Sequence, residues 1–407
     1  MSNALEFLRH LQQSSTIHTL FQSFQAPLPI DHNRVASKFG LSPDAMAELR
    51  SRFGDSLQSW ADSLLSGLCK DIQRGAVTAG LPLPPSMPVI GTLPTGRVNA
   101  MAIPVPNSSE HIVAFDSGLF NFVHLFCKAL LLALPYEETQ GAAGVTTPAD
   151  ISQWCNSLAL DGDCEYLTRF QQVLLASIFL GDPRMCEAYM PQRHILHLAE
   201  ELVRVSELFI VGHEFGHITL EHLTPGNARR APMDRFDVEA KSYTWTQEYD
   251  ADRAGFALML AATPESDIRT CVAGATLFFS CIEVIEHARA ILDPPVGEGI
   301  YVESISHPPP SLRREAILNL VRQASQDPVE GGEAVHLARL FQELAQRLMH
   351  ATTPLLESLR IAPPDWRHMT RLVGLDKLPQ GPFFVVTGMG LINVNYSGRS
   401  ATIRMAG

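Results

Sequence analysis

Two histidines and a glutamate stand close together in the run Gly212-His213-Glu214-Phe215-Gly216-His217-Ile218. On a helix, residues four apart lie on one face. His213 and His217 can therefore turn a ring nitrogen toward the same cation. Glu214, beside His213, can reach a water at that cation without ligating it. The chemistry such a set performs is hydrolysis by activated water. The surrounding run from Leu198 to Leu223 is apolar at helical spacing, as a buried active-site helix requires.

A tetrahedral catalytic zinc needs a third protein ligand and one position left for water. Gln247-Glu248-Tyr249-Asp250-Ala251-Asp252-Arg253 supplies two more carboxylates at a spacing of four. Glu248 is the expected third ligand. Asp252 is the expected acceptor for the other ring N–H of a zinc histidine, which fixes its tautomer. The plainer alternative is an acidic, exposed helix start that complements the helix dipole. Zinc, one per chain, follows from ligand type, although other divalent ions accept the same donors.

Other chemically able residues fit less well. His194 and His197 are three apart and read as packing or surface residues. His222 lies nine residues after His213 on another helical face, so it is not expected to ligate. Ser117 lacks the G-x-S-x-G surroundings of a nucleophile elbow. The seven cysteines are odd in number and irregularly spaced, with no C-x-x-C pair. They predict buried thiols in a reducing compartment rather than a disulfide framework or a thiolate metal site.

Several elements must position this chemistry. Residues 4–80 read as helical, with Leu5, Leu8 and Leu11, then Leu57, Trp60, Leu64 and Leu68, at spacings of three and four. Prolines 82, 84, 85, 88 and 94 mark a boundary. Residues 99–105 and 111–115 form a predicted hairpin around Pro106-Asn107-Ser108-Ser109, and Pro104 confines the first strand to an edge. Such an edge can align a peptide by strand addition through Asn99, Ala100, Met101 and Ala102, or simply be structural. Further helices are expected over 118–134, 151–180, 192–223, 238–262, 266–292, 311–325 and 332–360. Loops are expected at 141–149 and 224–236. Three glycine-separated strands follow, at 382–387, 391–395 and 401–405. These either complete the domain's own sheet or cover the cleft.

The chain has 407 residues and a net charge of -12, which disfavours nucleic acid as a partner. Arg229 and Arg230 read as a solvated loop tip. The N-terminus has no continuous apolar core of a secretory signal. Leu119 to Leu134 is the most membrane-like stretch, but at about 16 residues it falls short of the roughly 20 a span needs. It reads as a buried helix. No integral membrane span and a cytoplasmic location are therefore expected.

Taken together, H-E-x-x-H and E-x-x-x-D resemble the gluzincin zinc metallopeptidases. Glu248-Tyr249-Asp250-Ala251-Asp252-Arg253 is similar to the CAAX-prenyl-protease/HtpX-type branch. Asn99-Ala100-Met101-Ala102, with Ile112-Val113-Ala114-Phe115-Asp116-Ser117-Gly118-Leu119, is similar to that branch's edge hairpin. His307-Pro308-Pro309, with Arg313 six residues after the histidine, is similar to its H-P-P-x-x-x-R segment. The resemblance covers roughly residues 98–120 and 205–318. It implies that His307 stabilises an oxyanion and that Arg313 holds the local structure through a carboxylate. Tyr249 and Tyr301 are weaker donors for the oxyanion. Unlike that branch, this chain shows no span, and 94 positions (213 minus 119) separate Leu119 from His213.

The expected fold is α+β and mostly helical, with a zincin-like core, an edge β-hairpin, an H-E-x-x-H helix and a small β-rich C-terminal element. Five segments follow: an N-terminal helical region at 1–85; an edge hairpin and first core helix at 86–134; an inserted helical subdomain at 135–200; catalytic helices at 201–362; and a β-rich element at 363–407. The expected activity is endopeptidase hydrolysis of a peptide or protein substrate, with Glu214 as general base. The alternative is a non-catalytic, zinc-stabilised binding or regulatory protein. Oligomeric state is left open.

Overall fold

A computed structural model describes residues 2–14, 42–44, 47, 57–93, 97–134, 148–160, 164–224, 244–294, 307–364 and 366–374, and the short strands at 136–139, 142–145, 229–231, 240–242, 383–387, 390–396 and 401–405. The expected helix between 15 and 56 and the candidate donor Tyr301 fall almost wholly or wholly outside these residues.

In chain order the helices are α1 (Asn3–Ser14), α2 (Leu57–Ala79), α3 (Leu119–Leu131), α4 (Ile151–Ser157), α5 (Glu165–Leu180), α6 (Arg193–Thr219), α7 (Trp245–Ala262), α8 (Ile268–Leu292), α9 (Pro310–Ala324), α10 (Pro328–Ile361) and α11 (Trp366–Leu372). The strands are β1 (Val89–Leu93), β2 (Ala100–Pro104), β3 (His111–Asp116), β4 (Tyr136–Thr139), β5 (Ala142–Val145), β6 (Arg229–Ala231), β7 (Ala240–Ser242), β8 (Phe383–Thr387), β9 (Gly390–Tyr396) and β10 (Ala401–Met405). The fold is α+β and mostly helical.

Helix ends follow local chemistry. Asp150, Asp267 and Asp327 each accept a backbone N–H at the start of α4, α8 and α10. Thr244 and Gln247 form a reciprocal capping box at the start of α7, with Gln247 N–H to Thr244 Oγ1 at 3.2 Å and Thr244 N–H to Gln247 Oε1 at 2.8 Å. That box fixes where α7 begins, and so which face carries Glu248 and Asp252.

The β2–β3 hairpin forms as expected, with Met101 opposite Ala114 and Asn107 at φ 58° in the turn. Pro104 lies at the end of an edge strand, since the sheet order is β1-β3-β2. The strand β1 was not expected: it lies in the proline-rich stretch and pairs parallel with β3. Helix α1 covers it, with Gln12 Nε2 donating to the Thr92 carbonyl at 2.9 Å. Four further corrections follow. The hairpin β4–β5 occupies part of the expected loop at 141–149. The pair β6–β7 interrupts the expected loop at 224–236 and delays the helix expected from 238 to Trp245. The helix expected over 151–180 is two helices, α4 and α5. Finally, α11 opens the segment read as β-rich.

One continuous apolar cluster runs from Leu65 on α2 to Val373 just past α11. Helix α8 is its axis, packed against α6 on one side and α10 on another. It is the one described helix long and apolar enough to cross a membrane, and 72% of its apolar window is buried inside the fold. It thereby displaces Leu119 to Leu134 as the most membrane-like stretch. All seven cysteines are free thiols, six of them buried. Burial pushes Cys69 up to about 12 and Cys155 up to about 11, so they stay protonated at neutral pH.

Candidate metal centre

Small residues bring two helices into backbone contact. On α6, Gly212 and Gly216 are one turn apart; on α7, Ala251 and Gly255 are likewise one turn apart. A Cβ on Gly212 would lie 2.9 Å from the Gly255 carbonyl oxygen, and one on Gly216 would lie 3.1 Å from Ala251 Cα. Larger side chains would hold the helices apart. Their contact sets His213 and His217 of α6 against Glu248 and Asp252 of α7.

The ligand atoms of His213, His217 and Glu248 all lie within 4.8 Å of one another, and all three residues are buried. The two Nε2 atoms are 3.1 Å apart. Two nitrogens bound to one tetrahedral zinc at usual lengths would stand about 3.3 Å apart. Glu248 lies 3.7 Å from His213 Nε2 and 3.6 Å from His217 Nε2. No further His, Cys, Asp or Glu joins the group among the described residues. Neither Glu248 oxygen has an aligned hydrogen-bond donor. His307 Nδ1 lies 2.9 Å from Oε1, and the Arg313 guanidinium meets Oε2 as an ion pair, its Nη1 at 3.2 Å. A buried carboxylate with oxygens unmatched by aligned donors, facing two imidazole nitrogens, fits a divalent cation.

Around this centre the expected second layer is present. Asp252 Oδ1 lies 2.9 Å from His213 Nδ1. Arg313, from α9, holds both oxygens of Asp252, with Nε to Oδ2 at 2.8 Å and Nη2 to Oδ1 at 2.6 Å. Glu214 is buried, and its Oε2 has no hydrogen-bond partner. His307 is nearly half exposed at 46% while touching Glu248, so it stands where the centre meets solvent.

Charge follows this geometry. Burial alone would raise the Glu248 carboxyl, but Arg313 and His307 outweigh it and hold the group well below the usual carboxylate range. Asp252 is lowered in the same way, burial being overcome by Arg313 and His213. Burial and the neighbouring His213 hold His217 well below its ordinary value. Burial pushes Glu214 up to about 6, against the opposing pull of His213. The carboxyl groups of Glu214, Glu248 and Asp252 and the imidazoles of His213 and His217 thus share one buried site with the Arg313 guanidinium, and His307 adjoins it on the exposed side.

Strand β2 lies against α6. The bond from Asp116 N–H to the Asn99 carbonyl sets the hairpin's pairing phase. Asn99, Met101 and Ile103 bond toward β3, and Ala100 and Ala102 face the outer edge. Ala102 is already engaged, so a peptide laid along this edge would replace its present partner.

One residue set aside in the sequence belongs here. His222 Nδ1 lies 3.0 Å from His217 Nδ1. Helical projection put it on another face; the helix ends first, and the chain turns back. His194 and His197 begin α6, far along the helix from the centre, with His197 exposed beside Glu201.

Comparison of the chain with protein-family models, with curated proteins and with solved structures finds no match in any of the three.

Proposed function

We propose that this chain is a zinc-dependent endopeptidase of the gluzincin type, a divergent relative of the CAAX-prenyl-protease/HtpX-type enzymes, built on a zincin-like core. The observation that carries the reading is the convergence of His213, His217 and Glu248 on one point, with the unpartnered Oε2 of Glu214 beside them. In this reading the first three residues hold the cation. When bound, the cation would supply Lewis acidity, lowering the pKa of water toward 7 and polarising the scissile carbonyl.

The rest falls to the chain's own residues. Glu214 takes a proton from the attacking water as the new C–O bond forms and the carbonyl oxygen becomes an oxyanion. It then delivers that proton to the amine nitrogen as the oxyanion collapses and the peptide C–N bond breaks, leaving a carboxylic acid and an amine. A base so placed contributes about 10²–10⁴-fold. Asp252 and Arg313 keep His213 oriented. His307, at the exposed side of Glu248, donates to the developing oxyanion. The outer edge of β2 aligns the substrate backbone, with Ala100 and Ala102 as the contact residues. Peptide or protein is the substrate class, and the seven reduced thiols suit a cytoplasmic setting.

Metal analysis of the purified chain, paired with casein and peptide cleavage by the wild type and by Glu214→Gln, tests this. The expected result is about one zinc per chain in both proteins and cleavage by the wild type alone. Turnover by Glu214→Gln at the wild-type rate removes Glu214 as the base. Zinc without cleavage of any substrate by the wild type favours a zinc-stabilised binding protein instead.

A further inference from the structure

We propose that His222 is the positioning residue for His217: its ring accepts the His217 Nδ1–H and so presents the His217 Nε2 lone pair to the cation. This rests on the metal-centre reading above. It assigns a role to a residue that the ligand motif does not include.

The backbone brings His222 into place. Helix α6 ends in a reversal, with the Glu221 N–H donating to the Ile218 carbonyl at 3.1 Å and the His222 N–H donating to the His217 carbonyl at 3.0 Å. This pair of bonds is the Schellman pattern, which needs a left-handed residue between them. Glu221 supplies it at φ 56°. The two histidines are therefore tied twice, through the backbone and through their rings. The ring planes meet at 67°, an edge-on rather than stacked contact, and His222 is buried.

The nitrogens also sort themselves by direction. His217 Nε2 faces His213 Nε2 and Glu248, while His217 Nδ1 faces His222. A neutral imidazole has one donor and one acceptor, so a nitrogen-to-nitrogen contact needs one of each. If His222 donated, His217 would carry its proton on Nε2 and could not ligate. If His222 accepts, Nε2 is free to ligate. Asp252 does the same for His213 from the other side, at 2.9 Å from its Nδ1. Each ligating imidazole thus has its own acceptor, a carboxylate for one and an imidazole for the other.

The test compares wild type, His222→Phe and His222→Asn in zinc titrations against a chromophoric chelator. Asparagine places its Oδ1 acceptor where the histidine has Nδ1, whereas phenylalanine keeps ring volume and loses the acceptor. His222→Phe is expected to bind zinc about 10–100-fold more weakly, and His222→Asn to recover most of that loss. In the zinc-loaded wild type, ¹⁵N-histidine spectra should show an exchange-protected Nδ1–H on His217 that His222→Phe lacks. Thermal melts of the metal-free proteins show whether each variant folds as the wild type does. A folded His222→Phe that binds zinc as tightly as wild type overturns the role of His222 and leaves the metal centre standing. So does a His222→Asn as weak as His222→Phe with a normal melt. A wild type that takes up no zinc overturns the metal centre, and this inference with it.

Discussion

A Cβ on Gly255 would lie 2.6 Å from the backbone nitrogen of His213. The first ligand of the candidate centre and the helix that carries the third are therefore in backbone contact, with no room for a methyl group. Gly255→Ala must push α7 away from α6 and carry Glu248 with it. Overpacking of this kind costs about 1–3 kcal/mol. Urea unfolding should register that loss, and zinc titration should register weaker binding. A variant with wild-type stability and wild-type zinc affinity would show that the close approach is dispensable.

Asp252 and Arg313 form a buried, two-pronged ion pair that also reaches His213. Removing Asp252 leaves the buried Arg313 guanidinium with Glu248 as its remaining carboxylate partner, and breaking a buried pair costs about 3–5 kcal/mol. Asp252→Ala should therefore lower the denaturation midpoint strongly and weaken metal binding. The double variant Asp252→Ala/Arg313→Met should regain only part of that stability, because the guanidinium is gone but the buried Glu248 loses it as a partner, while its metal affinity stays low. If the double variant is no more stable than Asp252→Ala, the guanidinium left behind is not the cause.

Glu207 sits on α6, buried two turns before the motif, and burial pushes its carboxyl up to about 8 against the nearby Arg204. Its folded value lies above the unfolded one. Between about pH 4.5 and pH 8 the folded state holds a proton there that the unfolded state has released, so stability falls as pH rises. Each pH unit in that window costs about 1.4 kcal/mol. Glu207→Gln should flatten that part of the stability profile and be more stable than wild type at pH 8. Chemical denaturation at pH 5.5 and pH 8 checks this, and equal slopes in both proteins would refute it.

Chelation should lower the melting temperature, since a ligand of the folded state stabilises it by mass action, by about 2.7 kcal/mol at 100 times its dissociation constant. The shift should vanish in a His213→Ala/His217→Ala variant. A melting temperature indifferent to chelator and to added zinc in the wild type would count against a bound cation.

The motif residues were legible in the chain because their relation is local. His213 and His217, like Glu248 and Asp252, are four apart on single helices, and helical geometry alone puts each pair on one face. The edge hairpin was legible for the same reason: a short turn joins β2 to β3, and a short strand-like run flanks it on each side. The helical character of most of the chain followed from apolar spacing.

What lay beyond the sequence depended on contacts between distant segments, or on a backbone angle. The pairing of β1 with β3 is parallel and bridged by β2, so no hairpin signal announces it. The resemblance implied a carboxylate partner for Arg313, but that the partner is Asp252, 61 positions away, is a tertiary contact. The small residues at 212, 216, 251 and 255 permit close helices but do not say which helices meet. His222 is not among the ligand group, as expected; its contact with His217 was not legible because projection assumed that α6 continues, whereas Glu221 at φ 56° ends it and returns His222 to His217. Local periodicity thus determined which residues could ligate and on which helices they lie. Only the packing of α6, α7 and α9, together with one left-handed residue, decided that they meet and what holds each ring in place.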